Sequence, residues 1–217
     1  MKKHANFDQS NITSHYDDLS ENYEAIYLKV GWPDPKKSCE MIDQLFSHAK
    51  PTKQECHILD MGCGTGLCGQ YLVEMGFNAE NIVGVDASKG MLTKAEEKRA
   101  YRELDELFLG KPETFPAQYH GKFDCITASG ILADNHLDCS VFEEMLMALK
   151  QGGIVSFTSR IEYLTSYGYQ EGMDKLVADG RWKFLNKEEY TKYNKLNAED
   201  CGRFKATQSM VFCFQKL

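Results

Sequence analysis

Residues 56 to 71 read CHILDMGCGTGLCGQY, and this stretch decides the fold. Ile58 and Leu59 form a short apolar run that ends in Asp60, which suits a buried strand reaching its carboxyl edge. Gly62, Gly64 and Gly66 follow at every second position and free the backbone to take positive φ and to let a ligand approach its amides. Leu67, Tyr71, Leu72, Met75 and Phe77 then resume helical spacing, so a helix is expected over 67–77. Strand, glycine turn and helix in that order make a nucleotide cradle. The helix start offers unpaired N–H groups and the positive end of its dipole to polar or anionic ligand groups.

Two registers compete for that cradle. In the dinucleotide pattern G-x-G-x-x-G, Gly64, Gly66 and Gly69 match, and Asp86 lies about 20 residues on, where a ribose-binding acid is expected. That register places Asp60 inside the strand as a buried charge without an evident partner, which is costly. Read instead as acidic-x-Gly-x-Gly-x-Gly, Asp60, Gly62, Gly64 and Gly66 set the carboxylate at the strand tip, free to bind an ammonium group.

Outward from this centre, strand and helix signals alternate. Tyr16, Leu19, Tyr23, Ile26 and Tyr27 recur at helical spacing after a polar stretch over 1–13, and Trp32-Pro33-Asp34-Pro35 stops that helix. A second helix is expected over 36–48, strands over 81–86, 101–109, 123–129 and 154–159, and helices from Ser88 as N-cap to about Arg99 and over 140–150. Gln151-Gly152-Gly153 is read as closing the last of these. A helix near 171–179, an unassigned segment over 182–193 and a strand over 210–215 complete the chain. The alternation implies an α/β, Rossmann-like, doubly wound and mostly parallel sheet. One domain is expected over 1–217, with an N-terminal helical part to 50, a cofactor core over 51–160 and a substrate-side part over 161–217.

A net charge of −7 disfavours a nucleic-acid partner, because such proteins cluster Lys and Arg on one face. The start MKKHANFDQS lacks an apolar core, and no run of 18 apolar residues occurs, so no membrane partner and a cytoplasmic location are expected. The eight cysteines (39, 56, 63, 68, 125, 139, 201 and 213) fall largely in strands or the glycine turn and read as reduced, small hydrophobes. Cys63 and Cys68 lack metal-ligand spacing, so no metal is expected.

The acidic-x-Gly-x-Gly-x-Gly register resembles motif I of the class I S-adenosylmethionine-dependent methyltransferases. NIVGVDASKGML (81–92), FDCITASG (123–130) and LKQGGIV (149–155) fall in that family's order and spacing, so most of 14–160 is covered. YDDLSENYE (16–24), YRELDELFLG (101–110) and TSR (158–160) are most similar to the methyltransferase-like group called after the Williams-Beuren syndrome region. The resemblance implies a seven-stranded sheet with a C-terminal antiparallel strand, a helical lid, and S-adenosylmethionine as donor, leaving S-adenosylhomocysteine.

Carried over by position, Asp60 holds the methionine ammonium directly or through water, and Gly62, Cys63 and Gly64 let the backbone pass close to the cofactor. Asp86 accepts the ribose hydroxyls, Ala87 and Met91 pack the adenine, and Ala128 and Ser129 offer a carbonyl to the ammonium. Where many members carry an acid for the adenine amino group, this chain has Phe108; Phe108 by stacking and Leu107 by its backbone are the substitutes, with Asp105 and Glu106 as alternatives under a register slip.

Methyl transfer needs positioning and exclusion of water more than acid–base help. If the acceptor is a hydroxyl, amine or thiol, His136 in the loop after the fourth strand is the candidate base, with Asp134 to orient it. A lone loop histidine is also commonly just solvated. Tyr16, Tyr23 and Tyr27 share a lid face, with Tyr16 the foremost catalytic candidate, although such stripes also serve as core. Arg160 at the end of the fifth strand suits an anionic group on the acceptor or a surface ion pair, and Tyr163, Tyr167, Tyr169 and Trp182 are candidate pocket walls. The expected partner is a small-molecule acceptor with an O, N or S nucleophile, on a monomer or homodimer. Relatives that methylate nucleobases or glutamine amides carry Asn/Asp-Pro-Pro-aromatic where this chain has Ala128-Ser129-Gly130-Ile131. A peptide methyltransferase, a cofactor-binding protein without catalysis, and a nicotinamide enzyme are the competing readings.

Overall fold

The computed structural model describes residues 9–46, 51–134, 136–197 and 204–217; Cys201, the end of the expected 36–48 helix and most of the polar start lie outside them. Seven strands form one sheet: β1 Ile58–Met61, β2 Ile82–Asp86, β3 Glu103–Glu106, β4 Phe123–Leu132, β5 Leu149–Arg160, β6 Trp182–Lys192 and β7 Thr207–Lys216. Their order is β3-β2-β1-β4-β5-β7-β6. The pairs from β3 across to β5 are parallel, and β7 runs antiparallel to both β5 and β6. The expected doubly wound, mostly parallel seven-stranded sheet with an antiparallel closing strand is therefore what forms.

The helices are α1 Gln9–Leu19, α2 Tyr23–Lys29, α3 Asp34–Leu45, α4 Leu67–Glu74, α5 Lys89–Glu97, α6 Val141–Ala148, α7 Ile161–Ser166 and α8 Tyr169–Ala178. Side chains alternate across each strand. Leu59, Met61, Val83 and Val85 pack on one face with Phe142 of α6 and Met173 of α8, while Ile58 and Ile82 pack on the other with Ile42 of α3 and Leu72 of α4. Ser88 caps α5 as expected, accepting from the Met91 N–H at 3.1 Å.

Several expectations shift. Pro33-Asp34-Pro35 does not merely stop a helix but starts α3, since proline suits the first helical turn. The 101–109 strand contracts to four residues. Gly152-Gly153 does not close α6: the helix ends at Ala148, and β5 opens at Leu149, which pairs with Phe123. The unassigned 182–193 segment is an edge strand, hidden because its charged and largely exposed residues give no clean alternation, and α7 had no expected counterpart. Seven described cysteines are free, six of them buried. Among the described residues no helix is long and apolar enough to cross a membrane.

Asp60 lies inside β1, not at its tip, with no exposed surface, so the reason given for the acidic register is corrected. Its partners are Thr127, donating at 2.8 Å to one oxygen, and Tyr101, donating at 2.7 Å to the other. The Tyr101 oxygen in turn accepts the Gly69 N–H of α4 at 3.0 Å. A slot for the Tyr101 ring is made by absent side chains. A Cβ on Gly69 would stand 2.3 Å from its ring carbon Cζ, and one on Gly84 would stand 2.9 Å from Cε1.

Gly69→Ala is therefore expected to cost about 1–3 kcal/mol through overpacking. Tyr101→Phe is expected to cost about 1–3 kcal/mol by leaving the Gly69 N–H and one Asp60 oxygen unmatched. Both are read as lowered denaturation midpoints; wild-type midpoints would contradict this packing.

Candidate active site

The carboxyl ends of β1, β2, β4 and β5 open on one crevice beside the β1–β4 switch in strand order, where ligands of such sheets bind. It holds a cavity of about 350 Å³. The loop after β1 takes positive φ at Gly62 (+71°), Gly64 (+53°) and Gly66 (+86°), so the alternating glycines are a backbone requirement. A Cβ on Gly64 would meet nothing within 4 Å because Gly64 faces the cavity; it would fill space a ligand needs.

Asp86 ends β2 and lines the same wall. One oxygen accepts the Gly64 N–H at 2.9 Å and the other the Ser88 N–H at 2.9 Å, and the Ala87 amide acts on the same group, which fixes the carboxylate at the wall. Burial pushes its pKa up, against the N–H donors that favour the charged form. Burial likewise pushes Asp60 up to about 6, opposed by Tyr101 and Thr127.

The structure brings together most of the expected cofactor residues. Gly62, Gly64, Asp86, Ala87, Met91 and Ser129 line the cavity, as do Leu107 and Phe108, the latter 39 % exposed. It does not bring the side chains of Asp60, Cys63 or Ala128 into the wall: all three are buried, and Ala128 sits within β4 facing the core. The Leu107 N–H is donated to the Asp86 carbonyl at 2.9 Å, so it is not free to meet a base. Asp105 accepts from Tyr119 and Glu106 pairs with Lys89, and neither acid lines the cavity.

The N-terminal helices lie across this opening. Asp17 of α1 accepts from the Ser88 hydroxyl at 2.5 Å and the Gly90 N–H at 2.9 Å, and Glu21 and Glu24 pair with Lys94 of α5 and with Lys98, which caps it. Tyr16, Tyr23 and Tyr27 thereby face the cavity. The Tyr16 hydroxyl lies 2.6 Å from His136 Nε2, while His136 Nδ1 lies 2.7 Å from the Asp134 carbonyl oxygen. A carbonyl only accepts, so Nδ1 carries the hydrogen, and in neutral imidazole Nε2 accepts from Tyr16. Asp134 thus orients His136 by its backbone, not by its carboxylate as expected; the carboxylate accepts from Tyr167. Burial raises the Tyr16 pKa well above the usual phenol range, so it stays protonated as that donor.

At the far end Arg160 and Tyr163 line the cavity as expected, with Arg160 also 3.3 Å from Glu162. Tyr167, Tyr169 and Trp182 are not in the wall: Tyr169 and Trp182 pack on Phe142 in the core. Trp32, Asp34, Thr158, Lys192 and Tyr193 complete this end and were missed. The last two follow from the missed edge strand, which runs parallel to β5 and delivers its end to the same edge.

The fold is similar to that of magnesium protoporphyrin IX methyltransferase from Synechocystis, solved with S-adenosylhomocysteine, with a TM-score of 0.67 at 12% identity over 97% of this chain and 100% of that one. In sequence, the human methyltransferase-like protein 27 is 36% identical over 132 residues, covering 59% of this chain and 51% of that protein. The 18S rRNA (guanine-N(7))-methyltransferase of Bos taurus is 36% identical over 86 residues, 37% of this chain and 27% of that one. This chain thus spans about half the length of the human relative or less of the bovine one. A methyltransferase-domain model matches residues 52–194, well over half of the chain, and the chain belongs to that family of enzymes, whose methyl donor is S-adenosylmethionine.

Proposed function

We propose that this chain transfers the methyl group of S-adenosylmethionine to an oxygen, nitrogen or sulfur of a small molecule, and that it is functional kin of the Williams-Beuren methyltransferase-like group. The observation that carries the reading is Asp86, a carboxylate in the cavity wall at the end of β2, held by the Gly64 and Ser88 amides. That is the arrangement a vicinal diol of a ribose needs. S-adenosylmethionine, when bound, supplies a methyl carbon already activated by its positive sulfur. Gly64 provides the close backbone approach, Met91 and Phe108 the apolar walls for the base, and Ser129, whose hydroxyl has no protein partner, an open polar group beside them. Asp60 acts from beneath, as a buried carboxylate whose negative charge favours a cation above the glycine loop.

The chain's contribution to chemistry is positioning and one proton path. α1 and α2 form the lid that excludes water. When the acceptor nucleophile attacks the methyl carbon, its proton passes to the Tyr16 oxygen as the Tyr16 hydrogen moves to Nε2 of His136, leaving an imidazolium whose Nδ1–H stays on the Asp134 carbonyl. The net charge of −7, together with cavity acids Asp34, Asp86 and Asp134, supports a small acceptor over the polynucleotide named for the bovine relative.

Calorimetry with S-adenosylmethionine, S-adenosylhomocysteine and NAD, followed by turnover of labelled methyl donor against a metabolite panel, tests the reading; NAD binding in place of the other two overturns it. Asp86→Ala is expected to weaken S-adenosylhomocysteine at least about tenfold, or about 1.4 kcal/mol. His136→Ala is expected to lower turnover about 10²–10⁴-fold with cofactor affinity retained; equal turnover removes it from the mechanism. Burial pushes Asp60 up to about 6, so its carboxylate takes up a proton as the pH falls through that value, and burial raises Asp86 in the same direction. Affinity for the cationic donor is therefore expected to fall as pH drops through about 6, and Asp60→Asn to flatten that dependence.

A further inference from the structure

Two cations share one aromatic ring at the end of the cavity away from Asp86. Lys192, the last residue of β6, is only 8 % exposed. Its ammonium lies 2.7 Å from an Asp34 oxygen, 5.7 Å from the Trp32 ring centre and 5.3 Å from that of Tyr193. The Arg160 guanidinium lies 5.9 Å from the same Tyr193 ring and 5.3 Å from Tyr163. Burying an ammonium is unfavourable unless something holds it there, and here a carboxylate and two ring faces do.

The backbone at Tyr193 supports a built site. Its φ is +59°, a region that residues with bulky side chains rarely adopt, and the turn is clamped by Tyr193 N–H to the Gly31 carbonyl at 2.7 Å and Lys195 N–H to the Val30 carbonyl at 3.1 Å. Strain of this kind persists where surrounding contacts over-determine it and clusters at ligand sites. The result is a ring held against both cations.

Asp34 offsets Lys192, but the acid beside Arg160 is Glu162, whose side chain is 59% exposed and therefore screened by water. The remaining cavity acids are engaged elsewhere: Asp134 with Tyr167, Asp86 with the glycine loop. Arg160 and Lys192 both stand in the cavity wall at this end, and the indole N–H of Trp32 in the same wall has no protein acceptor.

We infer that Arg160, Lys192 and the Tyr193 ring between them anchor the carboxylate or phosphate of the methyl acceptor, a small organic anion whose nucleophile is a separate hydroxyl, amine or thiol turned toward Tyr16 and His136. This rests on the donor reading above and names the acceptor class for the same cavity. Arg160 binds the anion by its fork of N–H donors, Lys192 by charge, and the tyrosine faces cover its body. The anionic group is a handle and is not itself methylated, since methylating a carboxylate releases no proton and leaves the Tyr16–His136 path without a task.

The test uses the full chain saturated with S-adenosylhomocysteine, titrated calorimetrically with benzoate, phenyl phosphate and the neutral isostere benzamide. At least one anion is expected to bind about tenfold or more tightly than benzamide, with affinity falling as salt is raised. Preference for benzoate marks a carboxylate handle, and preference for phenyl phosphate marks a phosphate; either supports the site. Arg160→Gln and Tyr193→Ala are each expected to weaken the anion about tenfold while leaving S-adenosylhomocysteine affinity unchanged. Since Lys192→Gln alone strands Asp34, the double variant Asp34→Asn/Lys192→Gln is used for the second cation, with the same loss expected. Equal binding of benzamide and the anions, no anion binding, or an unchanged anion affinity in Arg160→Gln overturns the inference. Failure of the wild type to bind S-adenosylhomocysteine instead defeats the donor reading, and the anion titration is then read on the free protein.

Discussion

A carboxylate without exposed surface holds the centre of this molecule together. Asp60 in β1 takes hydrogen bonds from Thr127 of the neighbouring strand and from Tyr101 across the face, and the Tyr101 oxygen receives an amide of the helix that follows the glycine loop. An isolated buried charge is expensive, whereas one matched by donors on both oxygens locks its surroundings, because every departure leaves a polar group unpaired. Strand, loop and helix are therefore set relative to one another before any ligand arrives. The loop then presents Gly64 to Asp86, and Asp86 to the cavity.

Strand order divides the work of that cavity. β2 and β3 lie on one side of the central pair and bring the acid and the apolar walls suited to a nucleoside; β5 and β6 lie on the other and bring Arg160 and Lys192. Asp86 thus stands at one end of the cavity and Arg160 and Lys192 at the other. The N-terminal helices close over the middle through Asp17 on the start of α5, which puts Tyr16 against His136 where the two ends meet. These helices are held both by polar contacts and ion pairs to α5 and its end and by the packing of Tyr23 and Tyr27 on Trp32 and of Tyr27 on Tyr193.

Much of this was legible because local chemistry and global fold agree. Three glycines at alternate positions, apolar runs ending in acids, and Ser88 ahead of a helical pattern each have one economical reading, and the sheet, Asp86, Met91 and the capped helix follow from them. Phe108 in the wall was reached only through the resemblance, as the position where family members carry an acid for the adenine. The illegible part has identifiable causes. β6 reads WKFLNKEEYTK, whose mixed charge belongs to an exposed edge and carries no clean alternation, so Lys192 and Tyr193 were invisible as site residues. Asp60 was misplaced by one step of reasoning: a buried acid was judged by its own burial, when its cost is decided by Tyr101, a residue 41 positions away.

The sequence alone determined the strand–glycine–helix core and the identity of the acid after the second strand, because those rest on backbone geometry and on periodicities of two and 3.6 that neighbours along the chain enforce. Only the tertiary structure decided which groups face the cavity: that Asp60 looks inward, that Asp134 works through its carbonyl, and that Arg160 and Lys192 share a ring. Asp60 meets its partners 41 and 67 positions away and His136 meets Tyr16 across 120, contacts whose geometry is set by sheet order and packing and that no local pattern encodes.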